Sequence, residues 1–486
     1  MIAILLEDMH FEQDIRELFM AFYPGEQYTH DPGEKAMIVF EGRNRGERYE
    51  AGLRIEEGAA VRESGFSCKN HSDRLRTKNE IKRSLYDLLS SLNKRELPWG
   101  TLTGIRPTKI IMEKLEKGKE RGEMEEELRR LYRISDKKLK LALDTALREK
   151  KILEGLDYEK GWSLYIGIPF CPTTCLYCSF TSYPIERWKE RKKEYIRALS
   201  GEIRAMAGLM RGRRLQSVYM GGGTPTSLEA EDLKEILATL RDCLDLSGIS
   251  EFCVEAGRPD SISREKLEVL RAFGVNRISI NPQSMNQKTL DLIGRKHSVE
   301  EVEEVYRMAE ALGFDHINMD LILGLPGEKA QDVEHSFQRI SALAPKSLTV
   351  HSLAIKRASR LNTNEEKIRY MKESEKEMDR MVEIAEAACR RMGLSPYYLY
   401  RQKNMAGNHE NVGYCLPGYE CIYNILIMEE KQSIIACGAG ASSKLVWREE
   451  NRVERVENVK DPDLYIRRLD EMIDRKITLA KSALNL

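Results

Sequence analysis

Nowhere does this 486-residue chain string together the ~18 apolar residues that a membrane-spanning helix needs. Nor does it lean to one sign of charge: 78 Lys and Arg balance 78 Asp and Glu, which argues against a strongly basic nucleic-acid binder or a polybasic membrane anchor. The amino terminus, Met1-Ile2-Ala3-Ile4-Leu5-Leu6-Glu7-Asp8, has no basic segment ahead of its apolar run and does not read as a secretory signal. Ten cysteines are too few for a disulfide scaffold at this length. The expectation is a cytoplasmic protein without a membrane span and without nucleic acid as a partner.

What is present divides into three regions. In residues 1–155 an apolar run (2–6) precedes a helical pattern carrying Ile15, Leu18, Phe19 and Phe22. Residues 37–40 and 49–55 read as strands around a turn-rich segment, and 78–92 as an amphipathic helix. Residues 109–151 are helical in pattern and highly charged, read as a solvated helix face. From 156 to 378 short apolar runs (164–168, 217–220, 252–255, 277–280, 317–323, 347–353) alternate with helical segments such as 188–210, 230–244 and 299–312. That alternation means parallel βα units, in which strand ends and the loops after them carry the chemistry. Residues 379–486 open on a helix, pass through a Gly-, Asn- and Tyr-rich stretch (397–423) and a strand (434–437), and end on a helix (463–480). The fold class is therefore α/β: a partial (β/α)6 barrel with an α+β N-terminal accessory domain and a small α+β C-terminal, substrate-covering domain.

Three cysteines stand apart from the other seven. Cys171, Cys175 and Cys178 fall within eight residues directly after the first barrel strand. Three thiolates on one loop can hold three irons of a [4Fe–4S] cube and leave the fourth iron open to a small molecule. A structural zinc site wants four ligands, and no fourth Cys or His lies within twenty residues. One βα unit later comes Gly221-Gly222-Gly223-Thr224-Pro225-Thr226. Alone it reads as a tight turn; after the cysteine loop it is a place where backbone approaches a ligand closely. The scattered cysteines, Cys243, Cys253, Cys389, Cys415, Cys421 and Cys437 among them, have no metal spacing and read as small core residues.

The C-x3-C-x2-C loop, with an aromatic (Tyr177) before its last cysteine, resembles the signature of the radical S-adenosylmethionine (SAM) enzymes. The resemblance narrows through Tyr165-Ile166-Gly167-Ile168-Pro169-Phe170-Cys171, the glycine run, Glu255, Gln283, Arg295 and the stretch Asp320 to Pro326. These are spaced as in the oxygen-independent coproporphyrinogen III oxidases (dehydrogenases) and their haem-chaperone relatives. Leu102 to Pro107 looks like the longer, Gram-positive-type subgroup with an extra N-terminal region. The resemblance implies a [4Fe–4S] cluster on Cys171, Cys175 and Cys178, SAM chelated to the open iron, and a 5′-deoxyadenosyl radical that abstracts hydrogen from substrate. It further implies oxidative decarboxylation of coproporphyrinogen III to protoporphyrinogen IX in haem biosynthesis, with electrons from a flavodoxin or ferredoxin. Carried over by position, Tyr165, Gly222 and Glu255 contact the cluster-bound SAM. Tyr177, Gly223, Thr224, Gln283, Arg295, Asp320 and Ala354 line a second SAM site, so that one or two SAM molecules bind.

Two departures from the family pattern bear on the activity. The oxidases carry a further cysteine two residues after the triad; here that residue is Phe180. The chaperones carry a His-Asn-x-x-Tyr-Trp stretch in the tail, whose counterpart here is Glu410 to Cys415, with His409 one position before. His409, Tyr414 and Cys415 are the haem-ligand candidates. A haem-binding chaperone and a radical SAM methyltransferase, or another tetrapyrrole-modifying enzyme, therefore stand as alternative readings. For the propionates of a tetrapyrrole substrate the candidate cations are Arg258, Lys356, Arg357 and Arg401.

Overall fold

The computed structural model describes every residue except 59, 105, 355–363, 403–407, 448–449, 451 and 485–486, and only the backbone of 57 and 364–376. Six strands run parallel in sequence order: β1 (Trp162–Ile168), β2 (Leu215–Gly222), β3 (Glu251–Gly257), β4 (Arg277–Ile280), β5 (His316–Leu323) and β6 (Ser347–Ser352). Helices Lys192–Leu209, Ala230–Cys243, Arg264–Ala272, Val299–Ala311 and Ala330–Leu343 lie between them in the chain, as short apolar strands and amphipathic helices dictate. The expected βα alternation is thus the observed one, and the sheet does not close.

Its two open edges are covered by the tail. Strands β7 (Ser395–Tyr400) and β8 (Asn411–Cys415) extend the β6 edge, β8 pairing antiparallel with β6. Strand β9 (Ile434–Cys437) pairs parallel with β1, and the hairpin of β10 (Ser442–Trp447) and β11 (Arg452–Glu457) lies beyond it. Eleven strands form one sheet, in the order β7-β8-β6-β5-β4-β3-β2-β1-β9-β10-β11. An uncovered edge would present a row of unpaired backbone groups; the tail removes that exposure on both sides of the barrel. The expected single terminal helix is two, Pro462–Arg467 and Leu469–Leu484.

One buried ion pair fastens this tail. Glu202, on the helix after β1, and Lys476, on the last helix, are both fully buried and bonded to each other. The Glu202 carboxylate also accepts from Gly438 N (2.7 Å), Asn458 Nδ2 (3.0 Å) and the Tyr465 hydroxyl (2.7 Å). Lys476 Nζ donates as well to the Ala436 carbonyl at 2.6 Å. Every polar atom of the pair thereby has work inside the fold, the condition under which a buried charge is tolerated.

The N-terminal region has its own five-stranded sheet and its own core, in which Phe19, Phe40, Leu53, Ile81 and Leu85 meet. Its strands Ile38–Arg45 and Arg48–Glu57 match the two expected; a third, Ala60–Lys69, is mostly exposed and gives little apolar signal. The charged stretch that follows forms three helices, Pro107–Glu116, Arg121–Tyr132 and Asp136–Glu154, packed into the barrel's core through Ile111, Leu128, Leu139 and Leu143. The expectation of a solvated charged face fails at Lys138 and Glu149, which are buried. Lys138 bonds Glu410 at 2.5 Å and Glu386 at 3.0 Å, and Trp99 Nε1 donates to Glu410 at 2.7 Å. Burial raises the Glu410 pKa, but Lys138, His409 and these two hydrogen bonds outweigh it and hold the carboxyl at about 2. This network seals the N-terminal region against the tail.

Candidate active site

At the carboxyl ends of the barrel strands lies a cavity of about 430 Å³. Every residue carried over from the sequence lines it: Cys171, Cys175 and Cys178; Tyr165, Gly222 and Glu255; Tyr177, Gly223, Thr224, Gln283, Arg295, Asp320 and Ala354. They come from all six barrel strands or the segments that follow them, and only the barrel topology brings them together.

The thiols occupy the loop after β1. Cys171 and Cys175 are buried and Cys178 is half-buried. The loop is held by backbone bonds, Leu176 N to Ile293 O (3.0 Å) and Cys178 N to Cys175 O (3.2 Å). Burial pushes the Cys171 thiol up to about 11, with the Thr224 hydroxyl pulling it the other way. Such a thiol stays protonated until a metal centre displaces the proton. Among the described residues no three His, Cys, Asp or Glu side chains converge on a single ion position. A cubane makes no such demand, because each thiolate takes a different iron. The glycine run is packed against the thiols: a Cβ at Gly223 would overlap the Phe170 carbonyl oxygen and stand 3.0 Å from Cys171 Sγ. Gly222 adopts φ 108°, a conformation that side chains rarely take. Loop, thiols and glycine cradle fit a [4Fe–4S] cluster on this donor set.

Above the barrel floor sit the acids. Tyr219 donates to Glu255, and burial together with the nearby Asp320 lifts the Glu255 carboxyl to about 7. Asp320 accepts from Asn318 Nδ2 at 2.8 Å and lies 3.7 Å from His351 Nε2. The Tyr165, Tyr219 and Tyr423 rings stack beside them, Tyr219 and Tyr423 with centroids 4.4 Å apart. Burial raises the Tyr165 phenol as well, so the stack stays neutral.

On the β4–β5 side the backbone is strained. Gln283 has φ 69°, pinned by its N–H on the Asp320 carbonyl and its carbonyl on Ile322 N, both 2.9 Å. Gln283 Oε1, Asn281 Oδ1 and Arg295 Nε are buried without a hydrogen-bond partner. Three orphaned polar atoms on one wall cost free energy that a bound polar ligand returns.

Sequence reasoning missed part of the lining. Tyr219, Ser279, Asn318, Thr349 and His351 all face the cavity. Their signal was present: they are polar residues at alternate positions of otherwise apolar strands, the period of one sheet face. Tyr397, Tyr398, Tyr400 and Tyr423 from the tail line it too; the tyrosine-rich stretch 397–423 was visible in the sequence, but not its place against the barrel. Cys253 and Cys421, expected to be plain core residues, are buried but also line the cavity.

The substrate-cation candidates are corrected by the structure. Arg401 is buried outside the cavity, bonded to the Leu102 carbonyl (2.6 Å) and stacked over Trp99. Arg258 reaches the cavity but is spent on Asp260 and Thr173. Lys356 and Arg357 fall outside the described residues. The haem-ligand candidates are also placed elsewhere: His409 Nε2 lies 2.9 Å from Asp379, Tyr414 is in the main core, and Cys415 Sγ faces Arg148 at 3.3 Å. Phe180 stands on the cavity rim, 73% exposed.

Residues 165–340 match the Radical SAM superfamily. An oxygen-independent coproporphyrinogen-III oxidase-like protein, HemZ, of Bacillus subtilis (strain 168) is 43% identical over 404 residues, covering 82% of this chain and 80% of the relative. Those residues outnumber the whole of 165–486, so the likeness reaches into the N-terminal region. The heme chaperone HemW of the same organism is 38% identical over 194 residues, 40% of this chain and 50% of the relative. The oxygen-independent coproporphyrinogen III oxidase of Escherichia coli (strain K12) is 32% identical over 196 residues, 40% of this chain and 42% of the relative. The match thus spans half or less of these two proteins. Among solved structures, the coproporphyrinogen III oxidase HemN from Escherichia coli superposes with a TM-score of 0.52 at 22% identity, over 67% of this chain and 73% of that one, a likeness of fold.

Proposed function

Because the chain belongs to the oxygen-independent coproporphyrinogen-III oxidase-like family of radical SAM proteins, whose cofactors are a [4Fe–4S] cluster and SAM, we propose that it decarboxylates tetrapyrrole propionates oxidatively, turning coproporphyrinogen III into protoporphyrinogen IX. The observation that supports this reading is the convergence of thiol loop, glycine run, acid pair and orphaned polar wall on one cavity. When bound, the cluster and SAM supply hydrogen-atom abstraction through a 5′-deoxyadenosyl radical. Each propionate would then lose one β-hydrogen atom to that radical, one CO2, and one electron to an external one-electron acceptor, leaving a vinyl group.

The chain's own share is binding, orientation and exclusion of water. Cys171, Cys175 and Cys178 hold the cluster. The Gly222 backbone, Tyr165 and Glu255 hold the SAM on it, Glu255 accepting from ribose hydroxyls or the ammonium. Gln283 and Arg295 offer the second SAM their unpartnered acceptor and donor, and Asp320 its charge, beside Tyr177, Gly223, Thr224 and Ala354. The tail tyrosines close the wall with rings that exclude water and hydroxyls that still take hydrogen bonds. A flavodoxin or ferredoxin would supply the electron that reduces the cluster. The oxidase reading is favoured over the chaperone by the tail: Glu410 is locked on Lys138 and Trp99, and His409, Tyr414 and Cys415 do not line the cavity.

The Glu255 carboxyl makes this testable by pH. With its pKa raised to about 7, the carboxyl is mostly protonated at pH 6 and mostly ionised at pH 8, and only the ionised form accepts without carrying its own proton. SAM affinity of the cluster-loaded protein therefore rises about tenfold from pH 6 to pH 8, and Glu255→Gln flattens the profile. An affinity that is flat in the parent protein removes Glu255 from the SAM site. For the reaction itself, coproporphyrinogen III deuterated at the propionate β-carbons will pass deuterium into 5′-deoxyadenosine; unlabelled 5′-deoxyadenosine from a full turnover contradicts the assigned hydrogen.

A further inference from the structure

Arg258 follows the left-handed Gly257 (φ 67°) at the end of β3, and only 2% of it is exposed. Its guanidinium is fully engaged and points back across the barrel. Nε and Nη2 grip both oxygens of Asp260, at 2.9 and 2.5 Å. Nη1 donates to the Thr173 hydroxyl (2.6 Å) and lies 3.1 Å from its carbonyl, and the same nitrogen stands 4.0 Å from Cys175 Sγ. The backbone carbonyl of Arg258 is itself fixed by the Ser261 hydroxyl at 2.7 Å. The bidentate fork to Asp260 sets the plane of the guanidinium, and the plane aims its remaining N–H groups at the cysteine loop. Cys171 Sγ, by contrast, has the Thr224 hydroxyl at 3.5 Å as its side-chain partner among the described residues.

Resting on the reading that the three thiols hold an iron–sulfur cluster, we infer that Arg258 is a positioning residue of that cluster: it clamps the loop through Thr173 and raises the cluster's reduction potential through Cys175. The potential of such a cluster depends on hydrogen bonds to its sulfurs and on nearby charge. Arg258 and Asp260 together are neutral, but the pair presents its positive end to the sulfur. Reduction adds negative charge, so that orientation favours the reduced state. A lysine in this position could not hold Asp260, Thr173 and the thiol at once, because it lacks the planar fork. Arg295 also neighbours Cys175, but it carries an unpartnered Nε on the SAM wall; Arg258 has no such atom to offer a ligand.

The test is an EPR-monitored redox titration of anaerobically reconstituted protein, with iron and sulfide determined on the same samples. Arg258→Gln is expected to move the midpoint to more negative potential, with about a tenfold fall in the ratio of reduced to oxidised cluster at fixed potential. Arg258→Lys should fall between it and the parent. Asp260→Asn keeps the arginine but removes its counter-charge, so the midpoint should move the opposite way, to less negative potential. A merely structural role gives no such opposition of sign. An unchanged midpoint in R258Q, or shifts of the same sign in R258Q and D260N, overturns the inference. Should R258Q fail to retain iron, D260N decides alone: a shift to less negative potential supports the role, and no shift or a more negative one ends it. Parent protein that takes up no iron would sink the cluster reading itself, which is a separate outcome.

Discussion

Cys175→Ala, reconstituted anaerobically with iron and sulfide, will lack the broad absorbance near about 400 nm that thiolate-ligated iron–sulfur clusters give, and its 5′-deoxyadenosine formation will fall to background. Nothing else in the cavity can replace that thiol. Among the described residues no alternative His, Cys, Asp or Glu group converges on an ion, and the other thiols lining the cavity, Cys253 and Cys421, belong to β3 and to the start of the tail helix Ile422–Glu429, outside the cysteine loop. The substitution is small and deletes a single sulfur from a loop anchored by its own backbone bonds, so the fold persists and the loss reports ligation. Cys389→Ala is the matching control, a fully buried thiol in the main core and outside the cavity. It should keep its iron. Unchanged iron and sulfide in C175A would refute the assignment of the loop.

Lys476→Met carries the largest expected cost to stability, about 3–5 kcal/mol, because it strands the Glu202 carboxylate in the interior. The remaining donors to Glu202, from Gly438, Asn458 and Tyr465, were arranged around a paired charge and do not neutralise it. The loss will appear as a lower denaturant midpoint, first in the segment that carries β9, since Lys476 also holds the Ala436 carbonyl there. Removing both charges in Glu202→Gln with Lys476→Met should recover much of the loss, because the stranded charge is gone. The exposed pair Arg468–Glu471, at 2.7 Å, is the counterexample: its removal should leave the midpoint where it is. A K476M protein as stable as the parent would contradict the assignment of the Glu202–Lys476 pair as the fastener of the tail.

The thiol loop and the glycine run were legible in the sequence because their chemistry is local: spacing alone puts three sulfurs on one loop and three glycines on the next. The barrel was legible because parallel strands buried on both faces read as apolar runs separated by amphipathic helices. What stayed hidden is what depends on distance. Arg258 read as a cation at a strand end, available to substrate; its true partner Thr173 is 85 residues away in sequence. The tail read as a cover over the barrel, yet five of its strands complete the barrel's sheet at both edges. Glu410 read as a lost ligand, and only the fold shows Lys138 and Trp99 reaching it from the N-terminal region.

The central claim is tested most directly by anaerobic turnover. Reconstituted protein, SAM, a low-potential reductant and coproporphyrinogen III are mixed and sampled for protoporphyrin and 5′-deoxyadenosine. The account predicts both products, formed together, with Phe180 in place of the additional cysteine. 5′-Deoxyadenosine without protoporphyrin would contradict the substrate and move the radical chemistry to another tetrapyrrole reaction.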